Sequence, residues 1–91
     1  MEIEVGRVTH FYNHLCVAVL SLQIGLKIGD TIHFLGHQTD FTQRVDSIEI
    51  NHHNVVIVKP GEDVAIKVIE PVRVHDVVYR VVQGTTEPIA A

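Results

Sequence analysis

The chain has 91 residues, which is enough for one domain with a single hydrophobic core. Hydrophobic residues make up 46% of it and charged residues 20%, a composition that excludes an intrinsically disordered protein. Seven basic residues against eleven acidic ones give a net charge of −4, which argues against nonspecific binding to long nucleic acid.

The cysteine content and the N-terminal residues indicate a compartment. Cys16 is the only cysteine, so the chain forms no internal disulfide, as is usual in a reducing compartment. The first four residues include two glutamates, where a secretion signal has basic residues. No run approaches the ~20 apolar residues that a membrane span needs. We therefore expect a cytoplasmic protein with no membrane partner.

Short apolar stretches rich in valine and isoleucine alternate with turn residues along the chain. No stretch combines helical length with a helical period, and β-branched residues favour strands. We predict strand segments at 3–11, 15–22, 30–36, 41–50, 55–58, 63–69 and 77–82. Short strands at regular spacing are typical of an all-β domain, and closing them into a small barrel removes exposed edges. We assign residues 1–83 to this domain and 84–91 to a flexible tail.

The apolar alternation changes phase at two places. Val8 falls out of phase with Ile3 and Val5 around Gly6, and a glycine at a phase change predicts a β-bulge. Val45 and Ile48 are an odd number of residues apart, so the phase slips again near 46–47. In the segment at 15–22 both faces are apolar, so either the strand is covered on both sides or its outer face meets a partner.

Two turns combine a glycine with a following acidic residue. Pro60 fixes its own φ, and Gly61 can adopt the positive φ that a type II turn requires. Val64 and Ile66 then recur at period two. Gly29 and Asp30 open a strand in the same way upstream. Each turn is explained by turn chemistry alone.

The histidines and Cys16 are the only residues that suggest metal or thiol chemistry. His33 and His37 are four residues apart, which on a strand separates them by about 13 Å, too far to hold one metal ion. Cys16 alternates with apolar neighbours, a pattern that favours a buried small side chain over a nucleophile. We predict no metal site and no cofactor.

The order of the motifs resembles the second domain of translational GTPases such as elongation factor Tu. In that family a strand pair, a Lys-hydrophobe-Gly-acid turn, a Val-Glu-apolar strand and a Pro-Gly-acid turn follow one another. Here residues 27–30, 48–50 and 60–63 match them in order, and the similarity covers about residues 5 to 82. The chain also resembles stand-alone translation factor-like proteins of prokaryotes. A related barrel is appended to some collagenase-like peptidases.

The resemblance implies a closed six-stranded Greek-key barrel and a contact with RNA. The glutamate of the family's Val-Glu-apolar strand lies in the pocket for the aminoacyl end of tRNA, and Glu49 matches it. Asn51, His52 and His53 follow it, and here the chain departs from the family, which often has Arg or Lys at these positions. Glu49 and these three residues are our candidates for an RNA contact. The chain has no G-x-x-x-x-G-K-[ST] phosphate loop, so the resemblance implies neither a GTP site nor GTPase activity.

The last strand segment carries more apolar residues than one barrel face can bury. Exposed apolar patches mark interfaces, so the alternative is a contact with a protein partner or a second copy. The candidates for that contact are Val77, Val78, Val81 and Val82. From sequence we therefore expect a binding module that is not an enzyme and contacts tRNA or the ribosome, or alternatively a protein-interaction or homodimerising barrel.

Overall fold

Ten strands make up the fold of residues 1–82. The structure is a computed structural model that describes residues 1–82; the predicted tail at 84–91 lies outside the described residues. Within residues 1–82 there is no helix, so the all-β prediction is confirmed. The strands are β1 (Glu2–Tyr12), β2 (Val17–Leu22), β3 (Leu26–Lys27), β4 (Thr31–Leu35), β5 (Asp40–Arg44), β6 (Ile48–Ile50), β7 (His53–Val55), β8 (Ile57–Val58), β9 (Asp63–Lys67) and β10 (Val77–Val81).

Eight of the strands form one antiparallel sheet in the order β5-β4-β10-β1-β2-β9-β6-β7. The remaining two, β3 and β8, pair with each other. The sheet is strongly curved around a core that includes Phe34, Leu20, Ile32 and Ile66, all with side chains removed from solvent. Phe34 and Phe41 stack at 5.0 Å between ring centroids. Alternation along each strand therefore places one apolar face inside.

The prediction of a closed six-stranded barrel is wrong. The hydrogen-bonded sheet of residues 1–82 has two free ends, β5 and β7. The segment predicted at 41–50 is two strands, because the backbone of Val45 is used elsewhere. Its N–H donates to the carbonyl of Asp30 at 2.8 Å, and its carbonyl accepts from the N–H of Gly29 at 2.9 Å. The change of phase predicted near 46–47 coincides with this break between β5 and β6.

A side chain links the sheet across one of its open ends. The Gln43 amide, on β5, donates to the carbonyl of Lys67 at 2.9 Å and accepts from the N–H of Ile69 at 2.8 Å. Gln43 is buried, and Lys67 ends β9. One amide therefore replaces part of the backbone ladder that would have closed a barrel.

The bulge predicted at Gly6 is confirmed. The pairing of β1 with β10 shifts register between Glu4 and Gly6, and its pairing with β2 shifts between Val8 and His10. Both Val5 and Val8 can then point into the core. The two shifts bend β1, the longest strand, around the core.

A turn ending in a buried aspartate occurs twice. In 27–30 the carboxylate of Asp30 accepts from the Lys27 backbone N–H at 3.0 Å, and in 73–76 the carboxylate of Asp76 accepts from the Arg73 N–H at 2.8 Å. The third residue of each turn has positive φ, 95° at Gly29 and 79° at His75. The positive φ predicted for Gly61 is also confirmed, at 92°.

The prediction that Cys16 is buried is wrong. Its side chain is exposed, and its φ is 55°. Cys16 belongs to the turn after β1, and the alternation of β2 begins one residue later, at Val17. The apolar pattern of 15–22 therefore extended the strand two residues too far.

Candidate functional site

A groove of about 560 Å³ crosses the outer face of the sheet and brings together three of the sequence candidates. Glu49 projects from β6, and Asn51 and His52 form the tip of the hairpin between β6 and β7. His53 is on β7, paired with Ile50, and does not line the groove. We call this depression the outer groove; its lining residues are Tyr12, Leu15, Val17, Val19, Glu49, Asn51, His52, Asp63, Val64 and Ala65.

The floor of the outer groove is apolar at its centre, because the outward side chains of β2 and of the middle of β9 are small or branched. On β2, Val17 and Val19 point outward while Ala18 and Leu20 have no solvent exposure. On β9, Ala65 points outward between the buried Val64 and Ile66. The expectation that the outer face of 15–22 is either covered or meets a partner remains open, since Val17 and Val19 are half-buried within the described chain.

Strand register fixes the shape of the outer groove. Val19, Ala65 and Glu49 lie in one row across β2, β9 and β6. Neighbouring strands are about 4.8 Å apart, so the row places Val19 and Glu49 on opposite walls about 10 Å apart. The small side chain of Ala65 leaves the space between them open. Along β9, Asp63 lies at one end of this face and Lys67 at the other.

Two exposed apolar side chains form one end of the outer groove. Leu15 is 63% exposed and Tyr12 is 47% exposed. Tyr12 packs its ring on that of His10 at 4.6 Å between centroids and lies opposite Val17. Sequence reasoning did not single out Tyr12. The available signal was its position just before the turn that leads into a strand with two apolar faces.

The hairpin tip that borders the outer groove is strained. Asn51 and His52 both have positive φ, 51° and 67°, as a two-residue type I′ hairpin turn requires. Such turns favour Asn-Gly because a side chain at the second position opposes positive φ. Histidine at that position costs about 1 kcal/mol of stability relative to glycine. Strain of this kind is concentrated at binding sites.

The valines chosen as interface candidates divide into two groups. Val78 has no exposed surface and belongs to the core. Val77, Val81 and Val82 are half-buried. A contact through these three residues stays a prediction. More exposed apolar side chains lie elsewhere, for example at Val56, just before β8, and at Ile57, on β8.

His33 holds two carboxylates from other strands. Its Nδ1 lies 2.9 Å from Oε1 of Glu2, and its Nε2 lies 2.6 Å from Oδ1 of Asp40. The imidazole is only 16% exposed. Hydrogen bonds to Glu2 and then to Asp40 raise the pKa of His33 above 6.5, because both partners favour the protonated ring. Since the two carboxylates approach opposite ring nitrogens, they do not converge on one metal ion.

The raised pKa of His33 predicts a pH-dependent contribution to stability. This contribution is complete below pH 6.5 while both carboxylates stay ionised, and it is lost as pH rises through the folded-state pKa of His33. Urea unfolding at pH 5.5 and pH 8.5 should show a loss on the order of 1 kcal/mol that is missing in His33→Gln. His37→Gln, at an exposed histidine, should keep the wild-type dependence. A parallel loss in all three proteins would contradict the assignment.

Two negative findings concern the described chain alone. Across residues 1–82 no group of three or more His, Cys, Asp or Glu side chains is arranged to hold a metal ion. No helix in that range is long and apolar enough to cross a membrane.

Comparison with known proteins gives one sequence relative and a set of structural neighbours. No family model matches the chain. It is 46% identical over 79 residues to an uncharacterized protease of Methanocaldococcus jannaschii, covering 86% of this chain and 19% of the protease. The chain therefore spans about a fifth of the length of the curated relative it matches.

The structural neighbours come from a protein of Geobacillus thermoleovorans designated a U32 peptidase. The crystal structure of its C-terminal domain matches with a TM-score of 0.80 at 20% identity, covering 86% of this chain and 91% of that domain. The selenomethionine form of the domain matches with a TM-score of 0.78, also at 20% identity, covering 82% of this chain and 95% of that domain. At this identity the match shows a common fold.

These comparisons overturn the resemblance to translation factors. The proteins that this chain is similar to are named as a protease and a peptidase domain, and neither is a translation factor. The prediction of a non-enzymatic RNA-binding module fails with the resemblance, and the alternative of a homodimerising barrel gains no support. The motif order misled because glycine-acid turns are common between antiparallel strands in unrelated proteins.

Proposed function

We propose that this chain is the β domain of a U32-type peptidase and contributes the binding of extended polypeptide to that enzyme. The observation that carries this is its 46% identity, over most of its length, to a fifth of a protease. The agreement in fold with the C-terminal domain of a peptidase supports the same assignment.

The outer groove is where we place polypeptide binding. A bound polypeptide in extended form, lying along β9, needs open space about one strand spacing wide on each side. The space over Ala65, between β2 and β6, has that width. Leu15 and Tyr12 offer exposed apolar surface to a polypeptide's side chains. We also keep the cytoplasm as the proposed compartment, in line with the single cysteine.

Binding of an unfolded polypeptide tests this proposal. We expect a fluorescently labelled, carboxymethylated casein to bind the chain, and Leu15→Asn to weaken the dissociation constant about fivefold, because an exposed leucine contributes about 1 kcal/mol to a contact. Ile69→Asn is the matched control, since Ile69 is exposed to a similar extent, 69%, and lies outside the outer groove. Absence of binding, or equal weakening by both substitutions, would reject the proposal.

A further inference from the structure

We propose that the outer groove selects polypeptide segments in which an apolar residue and a lysine or arginine are two positions apart. This deepens the proposed function and depends on it. The selection comes from the arrangement of charged and apolar side chains along the groove, which the strand register fixes.

The cation-binding end is formed by Glu49 and Asp63. Glu49 is directly across from Ala65, and Asp63 is two residues before Ala65 on the same face of β9. Both residues are exposed, and neither carboxylate has a salt-bridge partner among residues 1–82. Two carboxylates beside a shared open space favour a positively charged guest.

The apolar end is displaced from this pair along the strand direction. Val17 lies opposite Lys67, one step along the sheet from the row that contains Val19, Ala65 and Glu49. The two rows are two residues apart, which is about 7 Å. Side chains i and i+2 of an extended peptide point to the same side with the same separation. A peptide lying over β9 with a leucine level with Val17 would therefore have a lysine, two residues away, level with Glu49.

Lys67 makes the two ends of the groove differ in charge. It lies at the apolar end, next to Val17, and repels a cation placed there. The basic residue of the ligand is therefore held at the Glu49 end.

The strained tip at His52 is consistent with a role in binding. His52 borders the groove together with Glu49, at a turn position that glycine would fill at lower cost. When the imidazole contacts the ligand, replacing His52 by glycine both relieves the backbone strain and weakens binding. When the histidine has no role in binding, the replacement changes stability and leaves binding unchanged.

Three acetylated and amidated peptides test the inference. They share a labelled serine-rich frame and differ in one motif: Leu-Ser-Lys, Leu-Ser-Gln or Leu-Ser-Glu. Fluorescence anisotropy at 50 mM salt should give the tightest binding for Leu-Ser-Lys, about fivefold weaker binding for Leu-Ser-Gln, and weaker still for Leu-Ser-Glu. The preference should shrink at 500 mM salt, because it arises between solvent-exposed charges.

Substitutions assign the preference to its residues. Glu49→Gln should reduce the preference for Leu-Ser-Lys over Leu-Ser-Gln, and Glu49→Gln combined with Asp63→Asn should abolish it. Glu70→Gln, at another exposed glutamate outside the groove, should keep the fivefold difference. His52→Gly should raise the thermal midpoint and weaken binding of all three peptides.

The outcomes separate the two proposals. Equal binding of the three peptides overturns the charge selection and leaves polypeptide binding in place. No binding of any peptide, with casein also unbound, overturns both. An RNA oligonucleotide that shifts the amide resonances of Tyr12 and His52, when no peptide does, would overturn both as well.

Discussion

Replacing Gln43 with leucine is expected to lower the free energy of unfolding by about 2 kcal/mol or more. The side chain is buried and joins β5 to the residues after β9, donating to the carbonyl of Lys67 and accepting from the N–H of Ile69. Leucine has a similar volume, so the cost comes from three backbone groups that lose a partner: the carbonyls of Lys67 and Arg44 and the N–H of Ile69. Urea denaturation of the two proteins measures it, with the midpoint shifting and the slope unchanged.

A second substitution at Gln43 separates donor from acceptor. Gln43→Glu keeps an acceptor for Ile69 but, when ionised, cannot donate to Lys67. We expect this variant to recover stability as pH falls and its carboxyl group becomes protonated. Gln38→Leu is the control, because Gln38 is exposed and its substitution should change stability by less than about 0.5 kcal/mol. If Gln43→Leu behaved like Gln38→Leu, the amide bridge would not hold the two strands together.

Local features of the fold could be predicted from sequence, but whether the sheet closes into a barrel could not. The bulge at Gly6 and the break near 46–47 leave phase changes in the apolar pattern, which a reader of the sequence can see. The choice between a closed ladder and a side-chain bridge depends on where the Gln43 amide reaches in three dimensions. Gln43 is two residues after Phe41 and therefore on the same inward face, but this pattern does not reveal which backbone groups its amide will reach.

The candidate site was predicted in part. Glu49, Asn51 and His52 do share one surface, because a two-residue turn places all of them at the same end of a hairpin. Tyr12 and Leu15 join them only through the pairing of β2 with β9 and of β9 with β6, a long-range register that one sequence does not specify. The choice of Val78 for an interface ignored that β10 lies between β1 and β4 and directs this residue into the core.

The wrong assignment to the translation factors has the same cause: local sequence patterns specify strands and turns, and they do not specify the family. Glycine-acid turns, a bulge and a Val/Ile alternation specify short antiparallel strands, and those features are shared by unrelated functions built on similar β domains. Among the resemblances drawn from sequence, the barrel appended to peptidases agrees best with the structural neighbours.

The substitution Gly6→Ala is expected to cost at least about 3 kcal/mol of folding free energy. A Cβ at this position would collide with the backbone carbonyl oxygen of Ser21 and approach Cα of Leu22 to 3.1 Å. These atoms belong to β2, which pairs with β1 at Gly6 and Leu22. Relief would require separating two central strands of the sheet, because no flexible side chain can move aside instead. Thermal and denaturant unfolding of the variant measure the loss.

Gly61→Ala provides the comparison that isolates this steric effect. Gly61 has a φ of 92°, but a Cβ there meets nothing within 4 Å, so its substitution should cost only about 1 kcal/mol for the positive φ. Gly6 lies instead within a continuous strand, and its cost comes from contact with a neighbour. Equal losses in the two variants would show that β1 and β2 can move apart at the bulge. The bulge would then be a flexible joint in the sheet, which conflicts with its position over the buried Val5 and Val8.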